Sequence, residues 1–458
     1  MTDLADRPGL ATPLAEHLAP YSANEAVMEA ERCLYCFDAP CMHACPTHID
    51  IPAFIRKIAS GNVRGSGMTI LDSNLLGATC ARVCPVEELC EGACVLNHAD
   101  KPITIGRLQR YATDHLARVA PDPYAAGPAT GRRVLVVGSG PAGLSAAGEL
   151  AKCGHAVTIW ERGELAGGLS TYGIIPLREP IEVALGEVAM IERLGVEVMT
   201  ETALAEPAAL DAALGDFDAV FLATGLGAVP RMDVAGDEHT RDGLVYIAQA
   251  KLNQPDPADA AAKHVVVIGA GNTAIDAATV AVRRGAKTTI VYRRTAAEMP
   301  AYQHEYEFAL REGIDFSFLT QPVEVLTDGE RVVGIRCVAM QLGEPDASGR
   351  RRPEPIEGSE SVIACDLVVR AIGQDGYTGD SDFGLALERG YLGVDAELRT
   401  SRDRVWAGGD AIRARGAAST VMAVQDGKKA AAAIDRFLQS GSDTGSESGS
   451  ATRGADHG

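Results

Sequence analysis

Apolar positions recur at helical spacing through the first quarter of the chain. "NEAVMEAERCL" (24–34) and "IPAFIRKIASGN" (51–62) set them three and four residues apart, which predicts amphipathic helices. Pro52 suits a first helical turn, where its missing N–H has no partner to lose. From Arg132 to about Ala430 the texture changes. Short β-branched runs such as "VLVV" (134–137) alternate with Ala-rich helical stretches, the pattern of parallel α/β layering. Between the two textures "APDPYAAGPATGRR" (120–133) reads as a domain boundary. The end, "SGSDTGSESGSATRGADHG", holds nothing apolar enough to fold and reads as a disordered tail.

The α/β region repeats one plan. "RRVLVVGSGPAGLSAAGELAKCGHAVTIWER" (132–162) and "KHVVVIGAGNTAIDAATVAVRRGAKTTIVYRR" (263–294) each read strand, glycine-rich turn, helix, strand. In the first copy Gly138, Gly140 and Gly143, spaced by Ser139, Pro141 and Ala142, form G-x-G-x-x-G. Such a turn lets a pyrophosphate approach a helix N-terminus. Glu161 ends the second strand, where a carboxylate accepts hydrogen bonds from a ribose. In the second copy Gly269, Ala270, Gly271, Asn272 and Thr273 make the turn, and Ala274 replaces the third glycine. Its second strand ends in Arg293 and Arg294 instead of an acid. A guanidinium there pairs with a 2′-phosphate, so NADPH is expected over NADH; two arginines merely capping a strand are the competing reading.

Composition narrows the remaining chemistry. Hydrophobic content of 46 % is that of a globular protein, and a net charge of -20 argues against nucleic acid or an anionic membrane as partner. No run of eighteen apolar residues predicts a transmembrane helix, and the acidic start is unlike a signal peptide, so a cytoplasmic location is expected. Eight of the 11 cysteines fall in two runs, C-x2-C-x4-C-x3-C-P (33–46) and C-x3-C-x5-C-x3-C (80–94). Thiols stay reduced in a cytosol, which makes disulfides a poor explanation. Zinc sites use paired knuckles across a longer finger, whereas continuous runs with following prolines are nearer to iron–sulfur ligation. A flavin in one of the two dinucleotide sites would favour two [4Fe–4S] clusters, since zinc is redox-silent. Cys153, Cys337 and Cys365 stand alone and are expected to be small buried apolar residues.

"RVWAGGDAI" (404–412), followed by "TVMAVQDGKKAAAAI" (420–434), resembles the second FAD fingerprint of two-dinucleotide-domain flavoprotein reductases. "FLATG" (221–225) and "VVRAIG" (368–373) resemble the strands where such chains cross between domains. The expected fold is therefore an α-helical N-terminal iron–sulfur domain followed by an α/β flavoprotein of two Rossmann-like domains, the NADP domain inserted in the FAD domain. The expected spans are 1–125 for the cluster domain, 131–255 and 376–438 for the FAD domain, 256–375 for the NAD(P)H domain and 439–458 for the tail.

The motifs "ERCLYCFDAPC", "CPTHIDIPAFI", "CARVCPVEELCEGAC", "ITIGRLQRY", "GSGPAGLSAAGELA" and "VYRRTAAEMP" together resemble one family. It is the FAD- and iron–sulfur-containing reductase family of the glutamate synthase small subunit, dihydropyrimidine dehydrogenase and that enzyme's separate bacterial reductase subunit. The resemblance implies Cys33, Cys36, Cys41 and Cys94 as ligands of one cluster and Cys45, Cys84, Cys90 and Gln109 as ligands of the other. Cys80 is then left out; the alternative makes Cys80 the ligand and Gln109 a polar helix residue. It implies FAD contacts from Gly138 to Gly143, Glu161, Gly168, Leu169, Arg178, Leu204, Gly409, Asp410 and Thr420. NADP contacts would come from Gly269 to Thr273, Arg293, Arg294, Ala371 and Gly373.

The activity implied is oxidation of NAD(P)H, with hydride passed to FAD and single electrons passed through the clusters to a partner subunit. No catalytic side-chain constellation is evident, since the flavin carries the chemistry. "GRLQRY" points to an FMN-containing dihydropyrimidine dehydrogenase partner acting on uracil or thymine. The stretches 291–326 and 343–360 look closer to the glutamate synthase small subunit, which makes that enzyme's large subunit the second partner. A reading of another class is a zinc-stabilised, dinucleotide-sensing module without turnover.

Overall fold

Ile51, Phe54, Ile55 and Ile58 follow helical spacing, and all four are buried on one face of the helix Ile51–Ala59. Each such burial contributes roughly 1.5–3 kcal/mol. Pro52 lies in the first turn, and the Asp50 carboxylate accepts from the Ala53 N–H at 3.0 Å, closing the helix start. This computed structural model describes residues 14–204, 207–345, 351–377, 383–413 and 418–440; Gln439 and Ser440 of the expected tail belong to the helix Thr420–Ser440, and the rest of that tail and the acidic first residues lie outside the described residues. Among the described residues no helix is long and apolar enough to cross a membrane.

The chain forms two units. Among the described residues, one gathers those within 21–166, 186–225 and 377–440. Its N-terminal part is helical, with Ala23–Glu31, Pro40–Ala44, Ile51–Ala59, Val63–Leu71, Gly77–Val83 and Ile105–Val119 around a core of Phe54, Ile58, Ile70 and Leu108. Of the eight clustered cysteines, Cys41 and Cys80 lie within helices and the others at helix ends or in the loops between them. A parallel sheet follows in the order Val405–Ala407, Ala219–Leu222, Arg133–Val137, Ala156–Trp160, Glu197–Met199. Its first strand in that order arrives from the far end of the chain, so the second unit is inserted between two neighbouring strands of this sheet.

The segment 120–132 contains no helix or strand, yet it is tethered: the Tyr124 hydroxyl donates to Asp72 at 2.6 Å and the Gly127 N–H to Ala151 at 3.1 Å. The Glu187 carboxylate also joins helical part and sheet part. It accepts from the Ala78 and Thr79 N–H groups at 2.8 and 3.1 Å, capping the helix Gly77–Val83 that leads to Cys84.

The other unit gathers residues 14–20, 167–185 and 226–376. It repeats the architecture with the parallel order Arg241–Asp242, Leu367–Arg370, His264–Ile268, Lys287–Val291, Asp315–Ser317. An antiparallel sheet of Thr320–Asp328, Arg331–Pro345, Arg351–Pro355 and Ser361–Ile363 extends it. The cut between the units falls at Gly225/Leu226, earlier than the expected 255/256, because the Arg241–Asp242 strand pairs with Leu367–Arg370.

Candidate functional site

Two glycines must be glycine. Gly138 has φ +98, and a Cβ there would lie 2.4 Å from the Ala223 carbonyl oxygen; Gly269 has φ +124, and a Cβ would lie 2.1 Å from the Ala371 oxygen. Each turn thus crosses over the chain where "FLATG" and "VVRAIG" leave their strands. Beyond each turn, Gly140 and Gly271 cap the N-termini of the helices Pro141–Lys152 and Asn272–Arg283. A Cβ on Gly140 would meet nothing within 4 Å, and one on Gly271 only Pro300 at 3.9 Å. Both helix starts therefore offer backbone N–H groups to open space, a cradle suited to a diphosphate.

In the first copy, Glu161 is buried and held by its own turn. Its carboxylate accepts from the Ser139 N–H at 3.0 Å and the Gly163 N–H at 2.7 Å, and from the Ser139 hydroxyl. Three distant segments meet beside this turn. The Gly409 N–H donates to Asp426 at 3.1 Å, and the Ser145 hydroxyl donates to the Val424 carbonyl at 2.9 Å, so 409–410, the helix Thr420–Ser440 and the helix Pro141–Lys152 converge. Burial raises the pKa of the Asp410 carboxyl from its ordinary value, against the pull of Arg413. Leu204 is buried in the same unit. Gly168, Leu169 and Arg178 belong to the other unit, where Arg178 pairs with Asp276 at 2.8 Å and with Glu305.

The second copy keeps its candidates in one unit: Gly269 to Thr273, Arg293, Arg294, Ala371 and Gly373. The two arginines separate. Arg293 is exposed at the strand end, whereas Arg294 is buried and its Nε donates to the Arg351 carbonyl at 3.0 Å.

The cysteines line two pockets. Cys33, Cys36, Cys41 and Cys94 surround one, with Ile55 and Ile103 in its wall. Cys45, Cys80, Cys84, Cys90 and Gln109 surround the other, with Asn74 and Val421. Ile51 lines both. Each pocket therefore mixes the two sequence runs. Burial, then the neighbouring Cys33 and Cys94, pushes the Cys41 thiol up to about 12. A hydrogen bond with Cys80, then burial, raises Cys84, and burial followed by Glu91 and Cys45 raises Cys90. Clustered thiols of this kind ionise when a cation binds between them. Among the described residues no three His, Cys, Asp or Glu side chains converge on a point as a single metal ion requires. The Gln109 Nε2 donates to the Gly77 carbonyl at 2.8 Å, which occupies the nitrogen end of the amide.

Comparison with known proteins gives this geometry its family. Residues 132–427 match the family described as pyridine nucleotide-disulphide oxidoreductase, and residues 11–120 match dihydropyrimidine dehydrogenase domain II, 4Fe-4S cluster. The chain belongs to the pyridine nucleotide-disulphide oxidoreductases. Within them it belongs with the flavin- and iron–sulfur-containing reductases of the glutamate synthase small chain and dihydropyrimidine dehydrogenase.

This oxidoreductase is 38 % identical over 432 residues to the NADP(+)-dependent formate dehydrogenase subunit beta of Moorella thermoacetica, covering 88 % of the chain and 60 % of that subunit. The chain thus spans less than two thirds of that relative's length. It is 34 % identical over 442 residues to the Escherichia coli glutamate synthase [NADPH] small chain, covering 92 % of the chain and 93 % of the relative. Mycobacterium tuberculosis FprA in complex with NADPH shares the fold, with TM-score 0.56 and 18 % identity over 71 % of this chain and 88 % of that one.

One expectation about this oxidoreductase is corrected. Cys337 and Cys365 are buried, but Cys153 is exposed, because it caps the C-terminal end of the helix Pro141–Lys152. Sequence reasoning also missed two polar residues beside the second pocket. Asn74 is fully buried in its wall, and Lys428 reaches the loop after Cys45. Asn74 belongs to no recognisable motif, and Lys428 lies in the stretch 420–434, which the sequence singles out for the flavin and not for the cysteines.

Proposed function

We propose that this chain is the electron-input subunit of a larger enzyme, taking electrons from NADPH and delivering them to a separate catalytic subunit. The bound flavin accepts electrons as a pair and releases them singly to iron–sulfur clusters. One observation carries the reading. Val421, next to Thr420 at the start of the helix beside the Gly138 turn, lines the pocket of Cys45, Cys84, Cys90 and Gln109. That pocket shares Ile51 with the pocket of Cys33, Cys36, Cys41 and Cys94. Flavin site, second pocket and first pocket thus stand in series within one unit.

The residues divide the work. The Gly138–Gly143 turn holds the FAD diphosphate, Glu161 accepts from its ribose, and Asp410 and Thr420 face the ribityl chain and the flavin ring, with Leu204 in support. Gly269–Thr273, with Ala371 and Gly373, hold NADPH, and Arg293 takes the 2′-phosphate; Arg294 supports the strand end. The domains follow: residues 1–125 carry the clusters, and the NADPH domain interrupts the FAD domain.

Four thiolates hold one [4Fe–4S] cluster; three thiolates and the Gln109 oxygen hold the other. A tetrahedral zinc with Zn–S ≈ 2.3 Å needs thiolates roughly 4 Å apart, and thiols spread around a pocket suit the larger cluster instead.

The partner with most support is an FMN-containing dihydropyrimidine dehydrogenase subunit, from the domain match over 11–120 and from Gln109 at the second pocket. The glutamate synthase large subunit is the second reading, supported by the near full-length likeness to that enzyme's small chain. The test is to purify the chain with its bound partner and assay NADPH oxidation. Turnover with uracil or thymine supports the first assignment, glutamine with 2-oxoglutarate the second, and turnover with neither sinks both.

A further inference from the structure

Asn74 is fully buried, and its side-chain amide is divided between two tasks. Its Oδ1 accepts from the Leu76 N–H at 2.9 Å. Only the oxygen end can meet a backbone N–H, so this bond fixes which way the amide points. The Nδ2 end has no hydrogen-bond partner in the protein. A buried, unmet N–H₂ costs about 1–3 kcal/mol, and native proteins rarely leave one without a reason. The residue lines the pocket of Cys45, Cys84, Cys90 and Gln109, where the neighbouring polarisable atoms are sulfurs.

We propose that Asn74 is a positioning residue for the second cluster, its Nδ2 donating an N–H···S hydrogen bond to a sulfur of the cluster or of a ligating cysteinate. The inference rests on the proposed function, since it requires a cluster in that pocket. Reduction adds one negative charge to a cluster, and an N–H aimed at its sulfur stabilises the reduced form more than the oxidised form. Asn74 therefore raises the potential of the cluster lined by Val421. Together with the Gln109 amide, which replaces a fourth thiolate, it would set this cluster apart electronically from the one held by four cysteines.

Asn74→Asp keeps an oxygen for the Leu76 N–H and removes the donor. EPR-monitored redox titration of the full-length holoprotein reads both clusters separately. The expected result is at least a tenfold loss in the one-electron reduction equilibrium of one cluster, equivalent to a 59 mV fall, with the other unmoved. Should the variant lose its cluster, the wild type still decides. Pulsed EPR on reduced protein carrying ¹⁵N in its asparagine side chains should show a nitrogen coupling to one cluster only. Absence of that coupling, or an unshifted potential in a loaded variant, overturns the role of Asn74. Wild-type protein with no iron and no reducible centre overturns the proposed function instead, so the two failures are told apart.

Discussion

Lys428, in the helix Thr420–Ser440, donates from its ammonium to the carbonyl of Ser73, 355 residues away in sequence. The same Nζ lies 3.3 Å from the Thr47 carbonyl, two residues past Cys45. The C-terminal helix therefore ties together the loop after the first cysteine run and the turn before the second. Burial lowers the Lys428 pKa. Lys428→Met should cost about 1–3 kcal/mol, the range for a hydrogen bond to a charged group and the partners left behind. Thermal unfolding followed by iron release should show it, while Lys429→Met at the exposed neighbouring position should leave both unchanged.

Gly138 and Gly269 give a matched pair of tests. Alanine at either is strained by its positive φ and collides with a carbonyl, a penalty of about 1–3 kcal/mol or more. Gly138→Ala should therefore purify with less flavin, its affinity reduced roughly tenfold or more. Gly269→Ala should keep its flavin and raise the KM for NADPH by a similar factor. Flavin content and steady-state kinetics check both.

Arg293 and Arg294 should not behave alike. Arg293→Ala removes the exposed guanidinium and should raise the KM for NADPH by about tenfold, the scale of one charge-assisted contact of roughly 1.5–3 kcal/mol, with little effect on NADH. Arg294→Ala opens a buried position and breaks the bond to Arg351, so it should lower thermal stability with a smaller change in preference. Equal effects on the two coenzymes in Arg293→Ala would contradict the assignment.

The contrast between these arginines shows what the sequence could and could not reveal. Both Rossmann-like turns were legible because their signal is local: β-branched runs, glycines where φ is positive, and a helix directly after. The cysteine runs pointed to an iron–sulfur domain, the family matched over residues 11–120, because few other residue types do that chemistry. How the thiols divide between two pockets depends on tertiary packing, chiefly on where the helices Gly77–Val83 and Ile105–Val119 bring Cys84 and Gln109. Periodicity says nothing of that. Arg294 is buried by a strand 57 residues away, Lys428 is paired across 355 residues, and Asn74 is a single polar residue whose meaning lies in its surroundings. Cys153 misled because an apolar-looking helix end turns out to face solvent.

Lys251 predicts a pH dependence. Its side chain is fully buried, donates to the Glu179 carbonyl at 2.6 Å, and has its pKa lowered by burial from 10.5 to about 8. The folded state thus binds fewer protons than the unfolded chain between pH 8 and 10.5, so stability rises with pH across that window. The gain is roughly 3 kcal/mol at most, by the energy of a pKa unit. Lys251→Met should abolish that rise. The Tm of the wild type relative to the variant should therefore rise as pH climbs from 8 to 10, measured by scanning fluorimetry.

The most direct test of the central claim is an anaerobic titration of the purified chain with NADPH, followed by visible absorption and EPR on a sample of known metal content. Two clusters and a flavin in series predict about eight irons per chain, bleaching of the flavin and of the broad cluster absorption, and a reduced-cluster EPR signal. Iron-free protein carrying two zinc ions, or a flavin reduced by NADPH beside clusters that never gain an electron, would contradict it.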